Sequence, residues 1–393
     1  MKNKMPTIEL SRRTKLIKPS LIRELYNMAK EYDDVVDFTL GDPDIPTPLG
    51  IKQAGCDAIM NNKTRYSQNA GLLELREAIS KYVREREGLN YSTSEIIVTV
   101  GAMEGLYLSL LTLLNKGDEV VIPAPYYVNY EQMVMMCGGT PIIVEYNSAH
   151  HRMVCPIESI KESINSKTKV IILNTPCNPS GMIYSDEYIS EIANIAINNN
   201  LVVITDEVYK CLVYDGIPRP RSISSLPQMK DRTVYVNSMS KEFCMTGWRL
   251  GYVMSFPEMI AAMTKLQENV VACAPLPSQF AALEALRTDI DYTSGIKDVF
   301  SKRRDLMMSL LDQQSILHYI KPQATFYMMI DISKTGMKSE EFAYRLLEKA
   351  HVAVVPGKTY GEMYDDYVRL AFTMDEDTIV KGIRRIIDFV HSL

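Results

Sequence analysis

The chain contains no C-x-x-C pair, and its seven cysteines (56, 137, 155, 177, 211, 244 and 273) are scattered and odd in number. Neither a disulfide framework nor a zinc ribbon fits that spacing, so a reducing compartment is expected. The five histidines, including the adjacent His150 and His151, form no H-x-x-x-H or H-E-x-x-H, and no metal site is indicated. Lysine and arginine never run for more than a few residues and the net charge is −5, which argues against nucleic acid or an anionic membrane surface as a partner. The polar stretch 1–13 lacks the ~7–15-residue apolar core of a signal peptide, and nothing approaches the ~18 unbroken apolar residues of a membrane span. A cytoplasmic protein acting on small molecules is the expectation. Gly357-Lys358-Thr359 suggests a P-loop, but the glycine needed five positions earlier is Val352.

What is present is bulk and rhythm. With 393 residues at 46% hydrophobic content, the chain exceeds the ~250–300 residues at which single cores stop growing. Short apolar runs alternate with longer amphipathic ones from about residue 95 to 253, a βαβ pattern. Strands are expected at 96–100, 119–122, 141–146, 170–173, 201–205, 233–236 and 250–254, mostly too apolar on both sides to face water. They predict an α/β fold: a large domain with a mainly parallel sheet covered by helices on both faces. After helices at 258–274, 279–286 and 291–311, a smaller α+β domain is expected. Its signals are a strand at 326–332, a helix at 339–349, an apolar run at 352–355, a strand at 367–372 and a closing helix at 376–390. Met133, Met135, Met136, Met328 and Met329 lie in apolar runs and are read as core filling.

The chemistry concentrates after the strands, where open parallel sheets bind ligands. Ser238-Met239-Ser240-Lys241 is followed eight residues later by Arg249. A lysine that can condense with an aldehyde, two hydroxyl donors and a planar guanidinium suit an aldehyde that carries a phosphate. The lysine must be depressed from its usual pKa of about 10.4 to react, which burial and nearby positive charge can do. Asp206-Glu207-Val208-Tyr209 follows one strand, Asn174-Thr175-Pro176-Cys177-Asn178-Pro179-Ser180-Gly181 another, and Gly101-Ala102-Met103-Glu104-Gly105 opens a helix whose N–H groups can face an anion. Taken singly, Asp206 is as readily a helix cap and Asn-Pro-Ser-Gly an ordinary turn. Arg369 interrupts an apolar strand, which is costly unless the guanidinium is paired. Trp248, the only tryptophan, is read as a packing residue.

These motifs, in this order and over nearly the whole chain, resemble the class I/II pyridoxal-phosphate-dependent aminotransferases of the aspartate aminotransferase fold. The resemblance implies pyridoxal 5'-phosphate held through Lys241, with Ser238, Ser240, Arg249 and the backbone of Gly101, Ala102 and Met103 around its phosphate. It implies Asp206 against the ring nitrogen, Tyr209 and Asn178 on the ring oxygen, and Tyr127 stacked on the ring where the family often has tryptophan. Arg369, with Asn178, Tyr127 and the Gly41 backbone of Gly41-Asp42-Pro43-Asp44, would take the substrate carboxylate. Tyr66 would reach the phosphate of a neighbouring subunit, which makes a homodimer. The segment 1–44 would pack with the small domain, residues 45–290 would form the cofactor domain and 291–393 the small one. The implied activity is transfer of an amino group from an L-amino acid to a 2-oxo acid, 2-oxoglutarate being the expected acceptor, in ping-pong order. A β- or γ-eliminating lyase, or another Cα-deprotonating enzyme of the same fold, is the alternative, and a binding module without turnover is a third reading. Aspartate, alanine, aromatic and branched substrates all stay open. Arg65, Lys15 and Lys18 are conceivable contacts for a distal anion, with solvated charge the simpler account of each.

Overall fold

Seven strands form the central sheet in the spatial order Ile96–Thr99, Gly251–Met254, Thr233–Ser238, Val202–Asp206, Thr168–Asn174, Glu119–Pro123 and Thr140–Val144. The structure is a computed structural model that describes residues 9–145, 153–288 and 291–393. Every neighbouring pair is parallel except those made by Gly251–Met254, which runs antiparallel to both its neighbours. Each expected strand is therefore present with ends shifted by a few residues, Tyr146 and the two adjacent histidines lying outside the described residues.

Side-chain alternation explains why these runs are apolar throughout. Val120, Ile122, Val170, Ile172, Ile204 and Val234 point to one face and pack with the helices Gly101–Leu113, Asn129–Met136 and Pro257–Val270. On the other face, Val121, Ile171, Leu173 and Val203 pack with the helix Asp186–Asn198, while Ile96, Val98, Tyr235 and Tyr252 meet Leu73–Glu87 and Leu276–Arg287. With both faces covered, period-2 alternation puts apolar residues at every position instead of every second one.

The helix expected at 279–286 begins at Leu276, because Pro277 falls in the first turn, where no N–H is required. The one expected at 258–274 ends at Val270, ahead of Pro275. From Asp291–Leu311 onward the chain builds a four-stranded antiparallel sheet in the order Val355–Pro356, Tyr367–Ala371, Tyr327–Asp331, His318–Tyr319. It shares an apolar core with the helices Ser339–Ala350 and Glu376–His391. Whereas the Lys18 N–H donates to Gln132 on the helix Asn129–Met136, residues 36–44 join this assembly: Val36–Asp37 pairs in parallel with Val352–Ala353, and the Phe38 carbonyl accepts from the Ala371 N–H. Arg303 then grips Asp44 with two hydrogen bonds of 2.7 and 2.9 Å, fixing the stretch between. Among the described residues no helix is long and apolar enough to cross a membrane, and no cluster of His, Cys, Asp or Glu could hold a metal ion.

Candidate active site

The carboxyl ends of the central strands converge on Lys241. It lies in the four-residue helix Met239–Glu242, directly after the strand that ends at Ser238. That helix is held at its start by Ser238, whose Oγ accepts from the Ser240 N–H at 3.0 Å and donates to the Leu250 carbonyl at 3.0 Å. The Lys241 side chain is consequently aimed back over the sheet, where Nζ donates to the Gly41 carbonyl at 2.6 Å. Loss of hydration lowers its pKa to about 8, and the cations Arg249 and Arg369 push in the same direction. Lys241 is thereby largely protonated at neutral pH but within reach of its basic form.

Asp206 ends its strand beside Asn174 in register. Asn174 fixes both flanking turns, donating through Nδ2 to the Asp206 carbonyl and accepting from the Asn178 N–H at 2.8 Å. The Asp206 carboxylate is 5% exposed and faces no cation within ion-pair distance among the described residues. Its partners are the Tyr130 hydroxyl at 2.7 Å and the Val208 N–H at 3.3 Å. Burial raises its pKa to about 6 against the lowering effect of those two bonds.

Arg369 presents the opposite charge in the same condition. It is 2% exposed and donates to Asn178 Oδ1 at 3.1 Å and to the Thr39 carbonyl, while its Nε has no partner. Its guanidinium lies 4.3 Å from the Tyr327 ring centroid and 5.3 Å from that of Tyr360. A buried guanidinium with neutral partners and aromatic walls is suited to an incoming carboxylate.

A second place suited to an anion forms where Gly101 opens its helix at φ +73°. A Cβ there would stand 2.6 Å from an Arg249 nitrogen, so the glycine lets the guanidinium lie against the helix N-terminus. Arg249 itself is exposed, takes the left-handed conformation and donates to the Thr246 carbonyl at 3.0 Å. With the hydroxyls of Ser238 and Ser240, 2.8 Å apart, and the N–H groups of Ala102 and Met103, it supplies donors that could hold a phosphate. Tyr127 is half-buried, its hydroxyl 3.7 Å from Met103 Sδ, and burial pushes its pKa to about 12. Tyr209 is buried, and its hydroxyl lies 3.1 Å from that of Tyr327. Tyr66 stands apart from all of these at 87% exposure.

A cationic cup, a buried carboxylate without a cation and an amine of lowered pKa match a phosphorylated pyridine aldehyde, and the comparisons with known proteins agree. The family described as aminotransferase class I and II matches residues 33–386. The chain belongs to this family. An aspartate aminotransferase of Pyrococcus horikoshii is 35% identical, with 96% of each chain covered. An aromatic-amino-acid aminotransferase of Thermococcus litoralis is 33% identical over 96% of this chain and 97% of that one. Among solved structures, an aspartate aminotransferase from Thermus thermophilus with maleate superposes with a TM-score of 0.91 at 33% identity, covering 98% of this chain and all of the other. This class I and II aminotransferase therefore has the aspartate aminotransferase fold, uses pyridoxal 5'-phosphate and takes amino acid and oxo acid substrates.

Several residues of the aminotransferase site escape sequence reasoning. Tyr130, which binds Asp206, lies between Asn129 and Glu131 on the helix Asn129–Met136 and carries no motif, and Tyr327 and Tyr360 read as core tyrosines. Thr39 contributes through its carbonyl, which side-chain chemistry does not reveal. The available signal was Tyr130's three-residue spacing from Tyr127, which brings the two rings edge to face at 5.5 Å. Trp248 packs against Gly55, as a packing residue should, and its indole N–H donates to Thr47 Oγ1 at 3.2 Å. Lys15 is exposed and lies 3.9 Å from Glu9; Lys18 and Arg65 are exposed.

Proposed function

We propose that the enzyme transfers an amino group from an L-amino acid to 2-oxoglutarate in ping-pong order, with Lys241 as the proton-moving base. The observation that carries this reading is the amine of lowered pKa set among two buried, uncompensated charges of opposite sign, Asp206 and Arg369. When bound, pyridoxal phosphate supplies an aldehyde for the amino group and a ring that takes up the electrons left as Cα loses its proton. Ser238, Ser240, Arg249 and the N–H groups at Gly101 to Met103 would hold the phosphate. Asp206, whose ionised form Tyr130 and Val208 favour, would face the ring nitrogen and keep it protonated. Tyr209 and Asn178 would donate toward the ring oxygen, and Tyr127 would cover the ring face. Arg369, oriented by Asn178 and Thr39, clamps the substrate carboxylate beside the Gly41 backbone. This would fix Cα within reach of Lys241 Nζ, which would take its proton and deliver it to the former aldehyde carbon of the cofactor, on the far side of the shared nitrogen.

The homodimer belongs to the same proposal. Tyr66 shares its exposure with Leu49 at 73%, Ile59 at 54% and Met60 at 79%, an apolar surface that a second copy would cover. From there Tyr66 would reach the phosphate held by the neighbouring subunit. We place the boundaries of the cofactor domain at residues 45 and 290, with 1–44 packing with the small domain 291–393, and the protein in the cytoplasm. The aspartate and aromatic names of its relatives put both substrate classes in reach. The test is to load the protein with cofactor and add one amino acid without an acceptor. One equivalent of 2-oxo acid per site supports transamination, whereas ammonia released over many turnovers would assign elimination instead.

A further inference from the structure

Tyr327 occupies the centre of the site without belonging to any motif. Its strand, Tyr327–Asp331, pairs with Tyr367–Ala371 so that Met329 stands opposite Arg369 and Tyr327 opposite Ala371. The side chain of Tyr327 is 3% exposed and meets three functional elements at once. Its ring lies under the Arg369 guanidinium, 4.3 Å from centroid to Cζ. Its hydroxyl lies 3.1 Å from the Tyr209 hydroxyl. The same oxygen is pressed against Gly41, where a Cβ would come within 1.8 Å of it, and the Gly41 carbonyl is the acceptor that holds Lys241.

We propose that Tyr327 is a positioning residue with two separable parts: the ring orients Arg369 for the substrate carboxylate, and the hydroxyl orients and polarises Tyr209. The inference rests on the reading of Arg369 as the carboxylate clamp and of Tyr209 as a donor to the cofactor. Two hydroxyls facing one another can form a chain in which Tyr327 donates to the Tyr209 oxygen while Tyr209 donates onward. The accepted bond polarises the Tyr209 O–H and strengthens its donation. The ring, for its part, gives the buried guanidinium a face that attracts cations and requires no counter-charge, leaving its free N–H for a ligand. The other ionisable groups facing this pair are Asp206, Asp42, Tyr127 and Arg369.

Phenylalanine keeps the ring and removes the hydroxyl; leucine removes both. In cofactor-loaded, substrate-free Tyr327→Phe, the pH midpoint of the visible absorption should rise by roughly 0.5–1 unit, because a weaker Tyr209 donor stabilises the anionic ring oxygen less. The KM for an amino acid should stay within about twofold. Tyr327→Leu should show the same rise in midpoint and a KM raised on the order of tenfold. An unmoved midpoint in Tyr327→Phe, or matching KM values in the two variants, would overturn the proposal. Arg369→Lys separates the two levels of inference: an unchanged KM there removes the clamp itself, whereas a raised KM beside an unchanged Tyr327→Phe removes only the role of Tyr327.

Discussion

Replacing Asp206 by asparagine should make the cofactor-free protein more stable at neutral pH while it disables the enzyme. The folded-state pKa of this carboxyl is about 6 against an ordinary 3.8, so its ionised form is disfavoured by folding. About two units at 1.36 kcal/mol each give a cost of about 3 kcal/mol. The sign follows from the direction of the shift. A raised acid pKa means that the folded state binds the proton more tightly, so stability is greatest below the unfolded value and falls as pH rises through about 6. Asparagine removes the charge but weakens the bonds to Tyr130 and Val208, which costs about 1–2 kcal/mol. The net gain at pH 7.5 is about 1–2 kcal/mol, and at pH 4.5, where the charge cost has fallen to about 1 kcal/mol, it should be near zero or negative. With a urea m-value of about 3 kcal/mol/M, the midpoint at pH 7.5 should rise by roughly 0.4 M. The assay is urea unfolding of cofactor-free parent and Asp206→Asn at both pH values, with turnover of the loaded proteins measured alongside. Turnover should fall by about 10²–10³ or more, since the charge facing the ring nitrogen is gone. A lower midpoint for the variant at pH 7.5, or a difference that does not depend on pH, would refute the reasoning.

In the cofactor-free protein, Lys241 should react with an amine-specific arylating reagent along a curve centred near pH 8, reactivity rising with pH as the neutral amine forms; a midpoint above 10 would contradict the lowered pKa. Tyr130→Phe should weaken cofactor binding about tenfold by removing the only side-chain donor to Asp206 among the described residues, and Tyr130→His should recover part of the loss; equilibrium titration with pyridoxal phosphate measures both. Gly101→Ala should weaken the same binding roughly 10–100-fold, because the residue adopts φ +73° and its new methyl would displace Arg249; unaltered affinity would mean that the cup lies elsewhere.

The central sheet was legible because most of its strands, covered on both faces, read as short apolar runs rich in β-branched residues. The shorter elements were not. Val36–Asp37 and His318–Tyr319 are two residues long and exist only through their partners Val352–Ala353 and Tyr327–Asp331, which no local pattern announces. The same division holds at the site. Lys241, Asp206, Asn178 and Arg249 stand in local motifs after strands, so their chemistry could be read from neighbours in sequence. Tyr327 meets Tyr209 across 118 residues from an apolar strand in which a tyrosine is ordinary core, and Tyr130 meets Asp206 across 76 from a helix that carries no motif. Tertiary contact alone turns them into parts of the site. The preferred side chain of the substrate is hidden for a related reason, since the roles proposed for Arg369 and Arg249, on the α-carboxylate and the phosphate, are common to every amino acid.

The most direct test of the account is to add single amino acids to the cofactor-loaded protein without any oxo acid, recording its visible absorbance together with the products. Loss of the visible band with one 2-oxo acid formed per site, and its return on adding 2-oxoglutarate, is the predicted result. A band that persists while ammonia accumulates over many turnovers would contradict it.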